Sequence, residues 1–112
     1  MKFLYHITTA EQAASGHRAG SYTPTQFAND GFIHCSYPHQ VAAVANRLFR
    51  GKTELVLLKI DPSRLTARIV DENLEGGTEL FPHIYGPLEW SGVVNVIPYL
   101  PDPNGMFHAP AE

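Results

Sequence analysis

Between Lys2 and Thr8 the apolar residues Phe3, Tyr5 and Ile7 alternate with Leu4, His6 and Thr8. This period-two pattern predicts a strand that is at least partly buried on both faces. Thr8 stands three residues ahead of Glu11, the spacing of a capping box, and predicts a helix over residues 9–18. Gly16 and Gly20 soften the end of that helix. Residues 21–30, with Pro24, Asn29 and Asp30, read as an irregular connection carrying one helical turn at 25–28. A short strand follows over 31–36, then a stronger helix over 38–50. Ser36 is its expected cap, and Val41, Val44, Ala45, Leu48 and Phe49 recur at helical spacing. Gly51 stands where a helix stops. Residues 54–60 are almost uninterruptedly apolar and predict a central strand. A turn at 61–64 leads to a strand over 67–72, and residues 73–78, with Gly76 and Gly77, form a polar loop. Residues 81–85 and 92–99 predict the last strands.

The order is strand, helix, strand, helix, then three or four strands. It predicts one α+β domain over residues 1–100, with a mixed sheet and two main helices rather than a strictly alternating parallel sheet. Residues 101–112, with three prolines among the first ten and no apolar pattern, are expected to form a poorly ordered tail.

Composition narrows the function classes. At 112 residues the chain makes one domain, and it buries roughly 65% of its unfolded surface. Its 44% apolar and 17% charged content belong to an ordinary soluble globule. A formal charge of −3 argues against DNA or an anionic membrane as partner, though not against a small phosphate-bearing ligand. No run approaches the roughly 20 apolar residues of a membrane span. The single cysteine, Cys35, makes neither an intramolecular disulfide nor a Cys-rich zinc site. A cytoplasmic protein is expected.

The six histidines are the compositional oddity. Familiar dinucleotide, phosphate-loop, zincin and serine-elbow motifs are missing, so any chemistry comes from scattered residues gathered by the fold. His6 lies on the strand face opposite Phe3, Tyr5 and Ile7, where it either serves a site or bonds a neighbouring backbone. In residues 31–36, Phe32, His34 and Ser36 share one face. His34 and Ser36 then make a small polar site, unless Ser36 only caps the helix. Cys35 points the other way and reads as core rather than as a nucleophile paired with His34.

Residues 79–88 bracket His83 and Tyr85 between Pro82 and Pro87. The stiffened backbone holds both side chains on one side, with Phe81, as a ligand wall or a packed edge. Glu72 ends a strand just before the glycine loop, where an acid–base or ribose-binding carboxylate belongs. Asp71 and Glu79 are its competitors. Arg47 and Arg50 are explained by the helix dipole alone, and His17, His39 and His108 read as solvent-facing.

Three blocks, Leu4-Tyr5-His6-Ile7-Thr8, Gly31-Phe32-Ile33-His34-Cys35-Ser36 and Phe81-Pro82-His83-Ile84-Tyr85-Gly86-Pro87-Leu88, together resemble a bacterial family of small domains of unknown function. The resemblance extends through Val44-Ala45-Asn46-Arg47 and Leu57-Leu58-Lys59-Ile60-Asp61-Pro62, and so spans Met1 to about Tyr99. That family is similar in fold to the ADP-ribosyltransferase superfamily, which implies a split, strongly bent mixed sheet with NAD as substrate in its cleft. The Tyr5-His6-x-Thr8 block resembles the Tyr-His-Gly-Thr strand of the histidine–tyrosine–glutamate transferases, with Ile7 replacing the glycine. On this resemblance His6 holds a ribose hydroxyl and His34 fills the position of the second, aromatic group. Glu72, or else Glu79, takes the place of the glutamate that stabilises the developing ribose cation.

The implied catalytic set is His6, His34 and Glu72, with Ser36, Phe81, His83 and Tyr85 binding substrate and the acceptor unidentified. Two alternatives remain. One is a noncatalytic ligand- or protein-binding domain on the same fold. The other is a zinc centre of His6, His34 and His83, with or without Glu72; no metal is expected on the preferred reading.

Overall fold

The apolar run at 55–60 lies at the centre of the protein. In the computed structural model, which describes residues 2–110, β4 (Leu55–Ile60) runs antiparallel between β1 (Leu4–Thr9) and β8 (Val93–Pro98). Its sequence is continuously apolar because both of its faces are covered. Val56, Leu58 and Ile60 join Leu4, Ile33, Ile84 and Leu88 in one core cluster, to which helix α1 (Ala10–Ala19) contributes Ala13. Leu55 and Leu57 join Tyr5 in a second cluster, to which helix α3 (Val41–Leu48) contributes Val41 and Ala45. The two helices thus serve opposite faces of the central sheet.

Two further sheets complete the fold. Strand β2 (Ser21–Tyr22) pairs with β7 (Leu88–Glu89), and β6 (Phe81–Tyr85) lies between β3 (Ile33–His34) and β5 (Arg68–Glu72). Helix α2 (Phe27–Asp30) is a single turn closed by Gly31 at φ 76°. The domain is α+β, but among the described residues the expected mixed sheet is not formed: every named strand pair is antiparallel. A parallel pair needs a crossover that returns the chain to the same sheet. Here α1 and α3 instead carry the chain from one sheet to another. The first and third sheets touch through one bridge, in which Tyr5 and Ser36 exchange two backbone hydrogen bonds of 2.8 Å.

Both expected helix caps shift by one residue. Thr9, not Thr8, accepts from the Gln12 N–H at 3.1 Å, because strand alternation turns Thr8 to the His6 side. Tyr37, not Ser36, opens the next helix through a tight turn at Pro38–Gln40, its N–H donating to Gln40 Oε1 at 3.0 Å. Ser36 has its backbone engaged by Tyr5.

The proline-rich stretch expected as a tail folds back onto the domain over residues 101–110, and positions 111 and 112 lie outside the described residues. The Asp102 carboxylate accepts from the N–H groups of Asn104 and Met106 and folds a turn. Phe107 then enters the second core cluster, where the Asn46 side chain bonds both its N–H and its carbonyl, at 2.7 and 3.0 Å. Among the described residues no helix is long and apolar enough to cross a membrane.

Candidate functional site

The site lies where β1 and β3 part. Cys35 N–H bonds the Pro82 carbonyl at 3.1 Å, so ladder alternation turns the preceding His34 carbonyl away from β6 and towards β1. The ring of His6 meets it there, with Nδ1–H donating at 2.6 Å. His6 Nε2 lies 2.7 Å from the Tyr22 hydroxyl, which lies 2.9 Å from the Thr8 hydroxyl, itself 3.0 Å from the Gln12 side chain. Burial holds the His6 pKa down to about 4, with the backbone bond to His34 working against it. The ring is therefore neutral at pH 7. With its proton on Nδ1, it accepts at Nε2 from the Tyr22 hydroxyl.

The opposite wall is built by β5 and β6. Val70 faces His83 across the ladder and Glu72 faces Phe81, so Glu72, Phe81, His83 and Tyr85 share one side. Glu72 Oε2 accepts from the Tyr85 hydroxyl and from His83 Nδ1, the latter at 2.8 Å. These bonds, Tyr85 first and then His83, hold the Glu72 carboxyl below the usual carboxylate range. The same contact pushes the Tyr85 phenol upward. Phe32 stacks on His83 at 4.1 Å, and the His34 ring stands edge-on to His83 at 5.3 Å. His34 Nε2 meets the Asp30 carboxylate at 2.9 Å.

A cavity of about 430 Å³ opens between these walls, lined by His6, His34, Ser36, Glu72, Phe81 and His83. Tyr85 stands behind Glu72 and does not line it. Of the competing carboxylates, Asp71 accepts from the Tyr37 hydroxyl, while Glu79 accepts from the Gln40 amide and borders a neighbouring cavity of about 400 Å³. Glu72 is the one that lines the main cavity.

Cys35 sits in the first core cluster with its thiol pKa pushed up by burial. The three-histidine metal alternative is not formed. Both His6 nitrogens have protein partners, and among the described residues no three His, Cys, Asp or Glu side chains come together as a ligand set. The histidines expected to be solvent-facing also have neighbours: His17 stacks on Trp90, His39 on Tyr37, and His108 meets Asp102.

Several site residues escape the sequence pattern. Tyr22 and Gln12 belong to the His6 string, but the sequence does not mark them: the His6–Tyr22 contact spans 16 positions, and Gln12 joins only through Thr8. Arg47, which the helix dipole already explained, lines both cavities and lies 3.8 Å from Glu75 of the glycine loop.

Fold and site together define a small α+β domain with a histidine-rich cleft between two antiparallel sheets. Residues 7–96 match the family described as "Protein of unknown function (DUF952)", and the chain belongs to that family. It is similar to the crystal structure of protein CC0527 from Caulobacter crescentus, with 30% identity and a TM-score of 0.83 over 95% of this chain and 93% of that one. The solution NMR structure of CC0527 gives 30% identity and a TM-score of 0.82 over 95% and 91%. The chain has no significant match among curated proteins.

Proposed function

We propose that the cleft binds NAD or an ADP-ribose-like nucleotide, and that the domain is an enzyme built on an ADP-ribosyltransferase-like fold. One observation carries the reading: a single cavity draws His6, His34, Ser36, Glu72, Phe81 and His83 together from four separate segments of chain. Its volume falls in the roughly 300–1,000 Å³ range of small-molecule sites. Glu72, held ionised by its donors, supplies negative charge where breaking a glycosidic bond leaves positive charge on the sugar. His34 and Ser36 offer polar groups to ribose hydroxyls, and Phe81 offers a ring to stack on a base.

An amide-shift NMR titration with NAD, ADP-ribose and nicotinamide tests this. Saturable shifts at His6, His34 and residues 81–85 are expected, followed by nicotinamide release over time. Spectra unchanged by all three ligands overturn it. A noncatalytic reading rests on Leu48 and Leu74, exposed apolar side chains on the cavity lining. Nucleotide binding without nicotinamide release would favour that reading.

A further inference from the structure

We propose that His83 is the acid–base group of this cleft and that Glu72, besides setting negative charge near the ribose, positions that histidine, with His83 taking the proton from a water or acceptor hydroxyl that attacks the ribose. The assignment rests on the nucleotide reading and gives that reading an acceptor class, an O–H group.

Geometry separates the histidines. His6 has both nitrogens bound, to the His34 carbonyl and the Tyr22 hydroxyl, so it has no lone pair left to accept a proton from a ligand. His34 has Nε2 on Asp30 and a side chain 56% exposed, which places it at the mouth. His83 differs from both. Its side chain is 6% exposed, its Nδ1 faces Glu72 at 2.8 Å, and Phe32 covers one ring face. Nε2 has no hydrogen-bond partner among the described residues and is not sealed in, while the ring lines the cavity. A ring with one proton carries it on Nδ1 towards the carboxylate, which leaves the Nε2 lone pair for the cleft. A carboxylate that fixes the tautomer and orientation of an imidazole is the arrangement of a general base. Tyr85, bonded to the same Glu72 oxygen, steadies the carboxylate in turn.

The step balances without a co-reactant beyond the attacking O–H. The hydroxyl oxygen forms a bond to C1′ of the ribose as the C1′–N bond to nicotinamide breaks. Nicotinamide leaves neutral with the bonding pair, and the hydroxyl proton passes to His83 Nε2.

The test uses the full chain, NAD as probe and water as acceptor. The resting protein is expected to show the Nδ1–H tautomer of His83 by ¹⁵N NMR. His83→Gln is expected to lower nicotinamide release by roughly 10²- to 10⁴-fold, and free imidazole to restore part of it in His83→Gly. Glu72→Gln is expected to lower kcat with KM little changed and to disturb that tautomer. If His83→Gly does not fold, His83→Gln and the tautomer measurement still decide. Wild-type release of nicotinamide that His83→Gln leaves unchanged overturns this assignment alone, as does an Nε2–H tautomer. No release by the wild type overturns the nucleotide reaction and this step with it.

Discussion

A histidine that charges less readily in the folded state than in the unfolded one makes stability depend on pH. His6 titrates at its ordinary 6.5 in the unfolded chain and at about 4 in the folded one. Between those values the unfolded state binds a proton that the native state does not, so acidification favours unfolding. The contribution is absent above pH 6.5, grows as pH falls towards 4 and is constant below that, reaching roughly 3 kcal/mol. Glu72, Asp61 and Asp102 act in a different window. Hydrogen bonds from Tyr85, Ser63 and His108 respectively are the leading cause of their depressed values, so their stabilisation is lost mainly at lower pH, as each carboxylate is protonated. His6→Gln cannot titrate. It is expected to be less stable than wild type at pH 7, having lost the His34 and Tyr22 bonds, but to decline less between pH 6.5 and 4. Urea unfolding at pH 7.0, 5.5 and 4.5 measures both. Parallel declines in the two proteins would mean that the buried ring is not the group responsible.

At the scale of elements, the close approach of α1 to β2 sets the position of Tyr22 and so of His6. Gly16 makes it possible: a Cβ at that position would lie 2.8 Å from Tyr22 Cβ and 3.3 Å from the Trp90 ring. Gly16→Ala would gain about 1 kcal/mol of helix propensity, yet the contact is with the base of a side chain that cannot swing aside. Overpacking of this kind destabilises by about 1–3 kcal/mol. A net fall in melting temperature is expected, with a shifted Tyr22 ring resonance; an unchanged or raised melting temperature would show that β2 yields freely. On the sequence alone Gly16 reads only as a soft helix end, because its reason lies in a partner six residues on and in Trp90. The same limit explains the rest. Residues 81–85 and 55–60 are legible because alternation, bracketing prolines and an unbroken apolar run are local signals. The common side of Glu72, His83 and Tyr85 needs the β5–β6 register, which the sequence pattern does not state. The cap at Thr9 rather than Thr8 depends on which hydroxyl turns inward. Antiparallel pairing throughout depends on which sheet each helix leads to.

Across the whole molecule the tail and the cleft are joined through α3. Phe107 packs with Tyr99, Val41, Ala45 and Leu55 on one side of that helix, while Val44, Arg47 and Leu48 of the same helix line the cavity. The Asn46 clamp on the Phe107 backbone and the 2.6 Å bond from the Tyr99 hydroxyl to the His108 carbonyl fix the tail in that place. The tail's polar and proline-rich composition conceals this role, since Phe107 alone is fully buried among residues 101–110. Phe107→Ala removes a side chain 2% exposed, a change that destabilises by about 3–5 kcal/mol, or on the order of 15 °C in melting temperature for a domain of this size. On the proposed nucleotide reading, because α3 bears on the cleft, the variant is also expected to bind NAD less tightly at a temperature where it is still folded, whereas Phe107→Leu, which refills much of the space, is expected to recover both properties. Calorimetry and the amide-shift titration on the two variants separate the effects. If Phe107→Ala melts within about 2 °C of wild type, the tail is not part of the core. If it melts early but binds NAD at full strength, the tail supports the fold without reaching the site through α3.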